Sequence, residues 1–323
     1  GGGSMTTALR RGAQGAARGL AALAVANAAV AVAAAAGALD ARLDLLANLA
    51  PLYGIVAVAL VVGGVLLRAD RPILLAAAAV GLAASAALIA PEVRRDAGPT
   101  APADAPGQIK VIQINALRTN SDIKRVADWL IAERPDIVTI SEARHDLRDL
   151  ILRRTGWKTA GAAGNLLVLT PKAYERMTRP KAPRGSLLTF VNATYEIEDQ
   201  PTEIVTTHLL HPSDPAQAPQ RRDLAGVVAT RPRERMIVTG DFNDAPWSHG
   251  LRELDGSLGL IRRDRAVPSY PAQLFGRPWP WPFLPIDHVY AGPAWATVSV
   301  TRGPWLGSDH YPIVVILAPV APR

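Results

Sequence analysis

The sequence predicts a layered α/β sandwich preceded by three transmembrane helices, and three observations predict it. From residue 109 onward, short β-branched runs alternate with segments of helical periodicity, the pattern of stacked sheets with helices outside. Residues 5–91 are dominated by Ala, Leu, Val and Gly and hold few charges. Polar residues close the apolar runs: Asn115, Glu142, Thr207-His208, Gly240-Asp241-Phe242-Asn243, Ile286-Asp287-His288 and Ser308-Asp309-His310. Burying so many polar groups costs several kcal/mol unless they are partnered or functional.

The leading GGGS, residues 1–4, reads as an added linker. Residues 5–91 read as a membrane domain with apolar segments at Leu20–Leu39, Leu49–Leu67 and Pro72–Ala90. Each is near the ~20 residues a helix needs to cross a bilayer core. Asp40, Arg42 and Asp44 punctuate the first junction, and Arg68, Asp70 and Arg71 the second. Arg10, Arg11 and Arg18 precede the first segment, whereas the first loop holds only Arg42. The positive-inside tendency therefore puts the N-terminus in the cytoplasm, and three crossings put everything after residue 91 outside. Residues 92–108, rich in Pro and Ala, read as an extended tether, and residues 109–323 as the catalytic domain.

Within that domain IKVIQIN reads as a strand. SDIKRVADWLIAERP reads as a helix capped by Ser121 or Asp122 and stopped before Pro135. DIVTISE, GNLLVLT, a run near 187–197, EIVTTH, RMIVTGDFN, IDHVY, ATVSV and YPIVVIL read as further strands. Helices are expected near 146–154, 216–230 and 248–254.

The chain has no cysteine, which excludes disulfides, thiolate metal sites and cysteine nucleophiles. Of 35 Lys and Arg, 27 lie from residue 109 onward, beside 22 of 28 Asp and Glu. That is a mild basic excess, not the dense stripe of a dedicated nucleic-acid binder.

The order Asn115, Glu142, His208, Asp241/Asn243, Asp287, Asp309/His310 resembles the endonuclease/exonuclease/phosphatase superfamily over about residues 109–318. The resemblance implies a four-layered α/β sandwich, two stacked mixed β-sheets flanked by helices, and a Mg²⁺-dependent phosphoesterase site in which Mn²⁺ could substitute. The three-helix part ahead of such a domain is similar to membrane-bound bacterial members of VanJ-type architecture. That likeness implies a multi-pass protein of the bacterial inner membrane with its catalytic domain on the periplasmic or extracellular side.

Phosphoester hydrolysis needs charge neutralised on the phosphate oxygens, an activated water and a stabilised leaving group. Magnesium favours oxygen ligands, which suits Glu142 and, by resemblance, Asn115 beside it, with Asp309 on the metal or its water shell. His310 is the catalytic imidazole expected from the resemblance, oriented by Asp287, as general base or as phosphate stabiliser. Asp241 is the other candidate for aligning water, with Asn243 and His208 as donors to phosphate. His211, two residues beyond Leu209, and Arg221, beside the expected cleft, are candidates for binding substrate. His288 should point to the opposite face from Asp287. Trp279, Trp281 and Phe283 alternate in FGRPWPWPFLP, a proline-braced loop suited to a lipid or aromatic-binding rim.

The expected partners are the lipid bilayer and a phosphate-ester substrate, favoured as lipid phosphate, lipid diphosphate or phospholipid headgroup. An extracytoplasmic nuclease is the alternative, and a noncatalytic binding protein retaining the fold a second. Nothing in the sequence requires an obligate protein partner.

Overall fold

The computed structural model describes residues 2–66, 71–171, 182–197 and 199–320, which form two compact units. Arg68 and Asp70, used above to place the second loop, lie outside the described residues.

The first unit comprises residues 1–95 with 246–251. Its helices are α1 (Gly2–Ala35), α2 (Ala41–Ala47), α3 (Ala50–Leu66) and α4 (Arg71–Arg94). Among the described residues, two stretches are long and apolar enough by themselves to cross a membrane, Gln14–Ala38 and Pro72–Arg94, rather than the three expected. The middle segment is a 17-residue helix, and it spans only if joined to α2, from which it bends by 58°. The cause is local: Pro51 has no N–H to donate back and so fits only the first turn of a helix, which makes α3 start afresh at Ala50. The packing is the reverse of a soluble bundle. Small residues such as Ala24, Ala31, Ala57 and Ala78 are buried, whereas Leu23, Ile55 and Ile73 are each about 60% exposed. Small contacts let helices approach closely, and polar groups fasten them: Asn27 Nδ2 donates to Tyr53 O at 3.0 Å and Ser85 Oγ to Ala50 O at 2.7 Å. In the same unit the buried Asp44 carboxylate accepts from the backbone of His249 and Gly250 at 2.7 and 2.8 Å.

The second unit comprises residues 96–245 and 252–323. Within the expected tether, α4 continues to Arg94, and Pro99 and Ala101 hydrogen-bond to Thr297. The first sheet contains β1 (Ile109–Asn115), β2 (Ile137–Ser141), β3 (Lys158–Ala163), β4 (Leu166–Thr170), β12 (Trp295–Arg302) and β13 (Ile313–Pro319), in the order β12-β13-β1-β2-β4-β3. The second contains β5 (Phe190–Ile197), β6 (Gln200–His208), β7 (Ile237–Asp241), β8 (Ile261–Arg262) and β11 (Asp287–Ala291), in the order β5-β6-β7-β11-β8. Both sheets mix parallel and antiparallel pairs, as expected. The helices are α5 (Ile123–Glu133), α6 (His145–Thr155), α7 (Gln217–Ala229) and α8 (His249–Ser257), the last counted in this unit from residue 252 onward. Asp122 caps α5 by accepting from Arg125 N, and Arg134 ends it in the left-handed conformation just before Pro135.

The strand period of two decides which way each residue points. Ile109, Val111, Ile137, Ile204, Ile237, Val289 and Val315 share one core. Ile112 and Ile114 turn instead to α5 and α6, where Val126, Leu130, Leu147 and Ile151 cover them. Continuing that alternation, Gln113 and Asn115 on β1, Asp241 on β7 and Asp287 on β11 turn to the first core's side. They lie at one end of it, because β1 and β2 run parallel, as do β6 and β7, and β11 opposes β7.

Candidate active site

Register brings the polar strand ends together. His208 lies opposite Asp241 across the parallel β6–β7 pair, and Asp287 lies opposite Asp241 across β7–β11. The other sheet contributes Asn115, whose Nδ2 donates to Asp241 Oδ2 at 3.0 Å and to Glu142 Oε1 at 3.1 Å. Glu142 Oε2 also accepts from Arg118 N at 3.1 Å. Burial pushes the Glu142 carboxyl up, but these two donors together with nearby His208 and His310 outweigh it and the net shift is down, so it is ionised at neutral pH.

His310 lies in the loop before β13. Its Nδ1 is 2.7 Å from Asp287 Oδ2 and its Nε2 is 3.6 Å from Asp241 Oδ2. Burial alone would depress this imidazole, yet Asp287, Asp241 and Asp309 push its pKa up to about 10. Asp287 shows the converse: burial raises its carboxyl, and His310 brings it below the usual range. Asp241 is fully buried, and desolvation leaves its carboxyl raised despite His310 and His208. His208 Nε2 stands 3.5 Å from Asp241 Oδ2. Asp309 is half-buried and its carboxyl is raised, first by burial and then by nearby Glu142.

The remaining candidates lie outside this cluster or at its border. Asn243 sits at φ 54°, its Nδ2 donating to Leu209 O at 2.8 Å, so it fastens the loop after β7 to the loop after β6. Arg221 pairs with Asp244 at 2.9 Å and with Gln217, and has no hydrogen bond to the cluster. The exposed His211 contacts Ser213 at 2.8 Å. Trp279 and Trp281 pack edge to face with ring centroids 5.1 Å apart.

Three residues support the site, and two of them, Tyr270 and Gln113, were not singled out from sequence. Tyr270 sets its ring 5.1 Å from the His310 ring, and burial raises its phenol. Gln113 Nε2 reaches Asp287 Oδ1 at 3.4 Å from the opposite sheet. Ser308 donates to Asn115 O at 2.6 Å and accepts from His310 N at 3.1 Å. Gln113 had a readable signal, an amide two residues before Asn115 on the same strand face. Tyr270 had none, because it arrives from an irregular loop.

His288 points away from Asp287, as alternation requires, into a buried network. Its Nδ1 lies 2.7 Å from Asp264 and its Nε2 lies 2.9 Å from Asp244 O. Arg262 joins Asp264 to Asp255, which also accepts from Tyr290. This network lies behind the Asp241–Asn243 loop.

Asp241, Asp287 and His310 bring potential ligand atoms within 4.8 Å of one another. His310 is already hydrogen-bonded to Asp287 through Nδ1 and faces Asp241 through Nε2, so both ring nitrogens are engaged within this group. Glu142 and Asp309 supply carboxylate oxygens close to His310, the donor type a hard divalent cation favours, whereas Asn115 turns its Nδ2 to Glu142 and its Oδ1 accepts from Leu117 N at 3.0 Å.

Residues 112–310 match the profile of the Endonuclease/Exonuclease/phosphatase family, well over half of the sequence. The chain belongs to that family. Solved structures agree in fold. An endonuclease/exonuclease/phosphatase from Beutenbergia cavernae aligns with TM-score 0.51 and 17% identity, over 66% of this chain and 72% of its own. One from Bacteroides vulgatus aligns with TM-score 0.53 and 15% identity, over 66% and 99%. D. rerio TDP2 complexed with single strand DNA product aligns with TM-score 0.50 and 15% identity, over 65% and 98%. A search of curated proteins finds no match. Members of the endonuclease/exonuclease/phosphatase family are generally phosphate-ester hydrolases and typically use a divalent metal.

Proposed function

We propose that this family member is a membrane-anchored, Mg²⁺-dependent phosphoesterase acting outside the cytoplasm on a lipid phosphate, lipid diphosphate or phospholipid headgroup. The observation that carries the chemistry is the meeting of the ionised Glu142 with the Asp241–His310–Asp287 triad at one sheet edge. Glu142 and Asp309 would hold the cation, with Asn115 fixing the Glu142 carboxylate beside it and Mn²⁺ as a substitute. When bound, it neutralises charge on the phosphate oxygens and lowers the pKa of water. His310, held cationic by Asp287, offers its Nε2 proton to a phosphate oxygen. Asp241, with its carboxyl raised by burial, is the better acceptor for the proton of the attacking water. His208 flanks Asp241 and donates to phosphate, with Asn243 bordering the same edge.

The reversed packing of the first unit, apolar outside and small inside, supports placement in a bilayer. A membrane anchor raises the effective concentration of a lipid substrate without any new contact. Extracytoplasmic placement requires an odd number of crossings, hence α2 and α3 together forming one span between α1 and α4.

The test is a substrate panel on the detergent-purified full chain with Mg²⁺ or Mn²⁺. Isoprenyl diphosphate and phospholipids should be hydrolysed, with EDTA abolishing turnover. Faster hydrolysis of plasmid or single-stranded DNA would replace this reading by the nuclease one, which the likeness to TDP2 with its DNA product favours.

A further inference from the structure

The strands β9 (Gln273–Leu274) and β10 (Arg277–Pro278) form a small hairpin that stands apart from both sheets. Its turn residues, Phe275 and Gly276, both have positive φ, 52° and 74°. Two-residue hairpin turns of this kind favour Asn, Asp or Gly at the first position, because a bulky side chain is strained there. Phe275 is also fully exposed at 103%, so its ring adds no packing to the folded chain. Folding stability therefore gives no reason for a phenylalanine at this turn. Leu274, Trp281 and Phe283 are exposed on the same hairpin and its flank, at 40, 70 and 40%.

The base of the hairpin is fastened to the catalytic cluster. Ala272 N donates to Asp309 O at 2.6 Å, and Tyr311 Oη donates to Trp279 O at 2.8 Å. Tyr270, just before it, packs on His310. Whatever receives the apolar tip is thereby held next to the site.

We propose that the Phe275 hairpin inserts into the surface of the lipid bilayer and docks the catalytic edge onto it. A lipid surface is the occupant that the chain itself supplies. Two of its helices are long and apolar enough to span, and α4 ends at Arg94, immediately before the second unit begins at Asp96. Aromatic rings with a neighbouring arginine, here Arg277, suit the boundary between acyl chains and headgroups. The proposal rests on the membrane reading of α1 and α4, but not on which phosphate ester is cleaved.

The absence of cysteine makes the test direct. Full-length Phe275→Cys and, as control, Ala229→Cys are labelled with an environment-sensitive fluorophore and reconstituted in phosphatidylethanolamine/phosphatidylglycerol vesicles. Ala229 is exposed on α7. The label at 275 should shift to the blue and be quenched by brominated acyl chains, while the label at 229 should do neither. Protein that floats with the vesicles but shows no quenching at 275 overturns the proposal. Protein that fails to float overturns the membrane reading and the proposal with it. Excimer emission from pyrene at 275 that persists on dilution in lipid would assign the tip to a second copy of the chain and also overturn it. Phe275→Asn should keep or raise Tm and leave hydrolysis of a soluble phosphodiester unchanged, while halving or more the quenching of a label moved to Leu274→Cys.

Discussion

At the scale of single residues, the site is a balance between desolvation and pairing. Glu142 is kept ionised by Asn115 and Arg118 N, and its removal takes away the strongest oxygen donor of the proposed metal set. Glu142→Gln should lower turnover by about 10²–10³, with Tm within a few degrees of wild type, because the amide keeps the same volume. A variant as active as wild type would refute the assignment. Asp264 behaves differently, as a structural charge. Burial pushes its carboxyl up, but His288 and Arg262 more than offset this and hold it well below the usual range. A carboxyl depressed on folding contributes stability that is present above its unfolded pKa of ~3.9 and is lost as pH falls toward the folded value. Asp264→Asn should therefore cost about 3–5 kcal/mol at pH 7. The gap from wild type should narrow in urea melts below about pH 4. The polar strand-end residues were legible because each closes an apolar run, where a buried polar group needs a reason. The sequence did not reveal that Asp244 engages Arg221.

At the scale of elements, long periodic segments were readable and short ones were not. β1 and β2 match because they are continuous β-branched runs buried on both faces, and α5 because its apolar residues recur at helical spacing. β3 (KTAGAA) lacks an apolar alternation, and it exists through pairing with β4 along Lys158–Thr170. The two-residue strands β8, β9 and β10 are too short to show any period. Close approach of elements was equally hidden. A Cβ added at Gly240 would stand 2.2 Å from Thr207 O on the neighbouring parallel strand β6. Gly240→Ala should push β6 from β7 beside His208 and Asp241, costing about 1–3 kcal/mol and at least tenfold in turnover. A variant with wild-type Tm and rate would show that the strands yield freely. In the outer core, Leu130→Ala on α5 should cost about 2–5 kcal/mol by leaving a cavity over β1 and β2, read as a lowered urea midpoint with unchanged slope.

At the scale of the whole molecule, the parity of membrane crossings decides on which side the chemistry occurs. Hydropathy reads residues 49–67 as one span, and α3 covers 50–66 of it as a single 17-residue helix that is bent by 58° from α2 at Asn48–Leu49. If the bent pair crosses, the catalytic unit lies opposite the N-terminus. If it re-enters, the two lie on the same side. A single cysteine at Ser213, an exposed loop position, should react with a membrane-impermeant maleimide in intact cells. Reaction only after permeabilisation would place the domain in the cytoplasm. Composition and periodicity by themselves determined the apolar first unit and the layered α/β second unit, and the polar residues that close the apolar runs. Those follow from local spacing along one chain, where burial imposes its own period. The tertiary structure decided what depends on partners distant in sequence. It joined Asn115 to Asp241 across two sheets and brought Tyr270 and Gln113 to the same end of the strands. Register, sheet stacking and the electrostatic balance they create arise between segments, and no single stretch of sequence contains them.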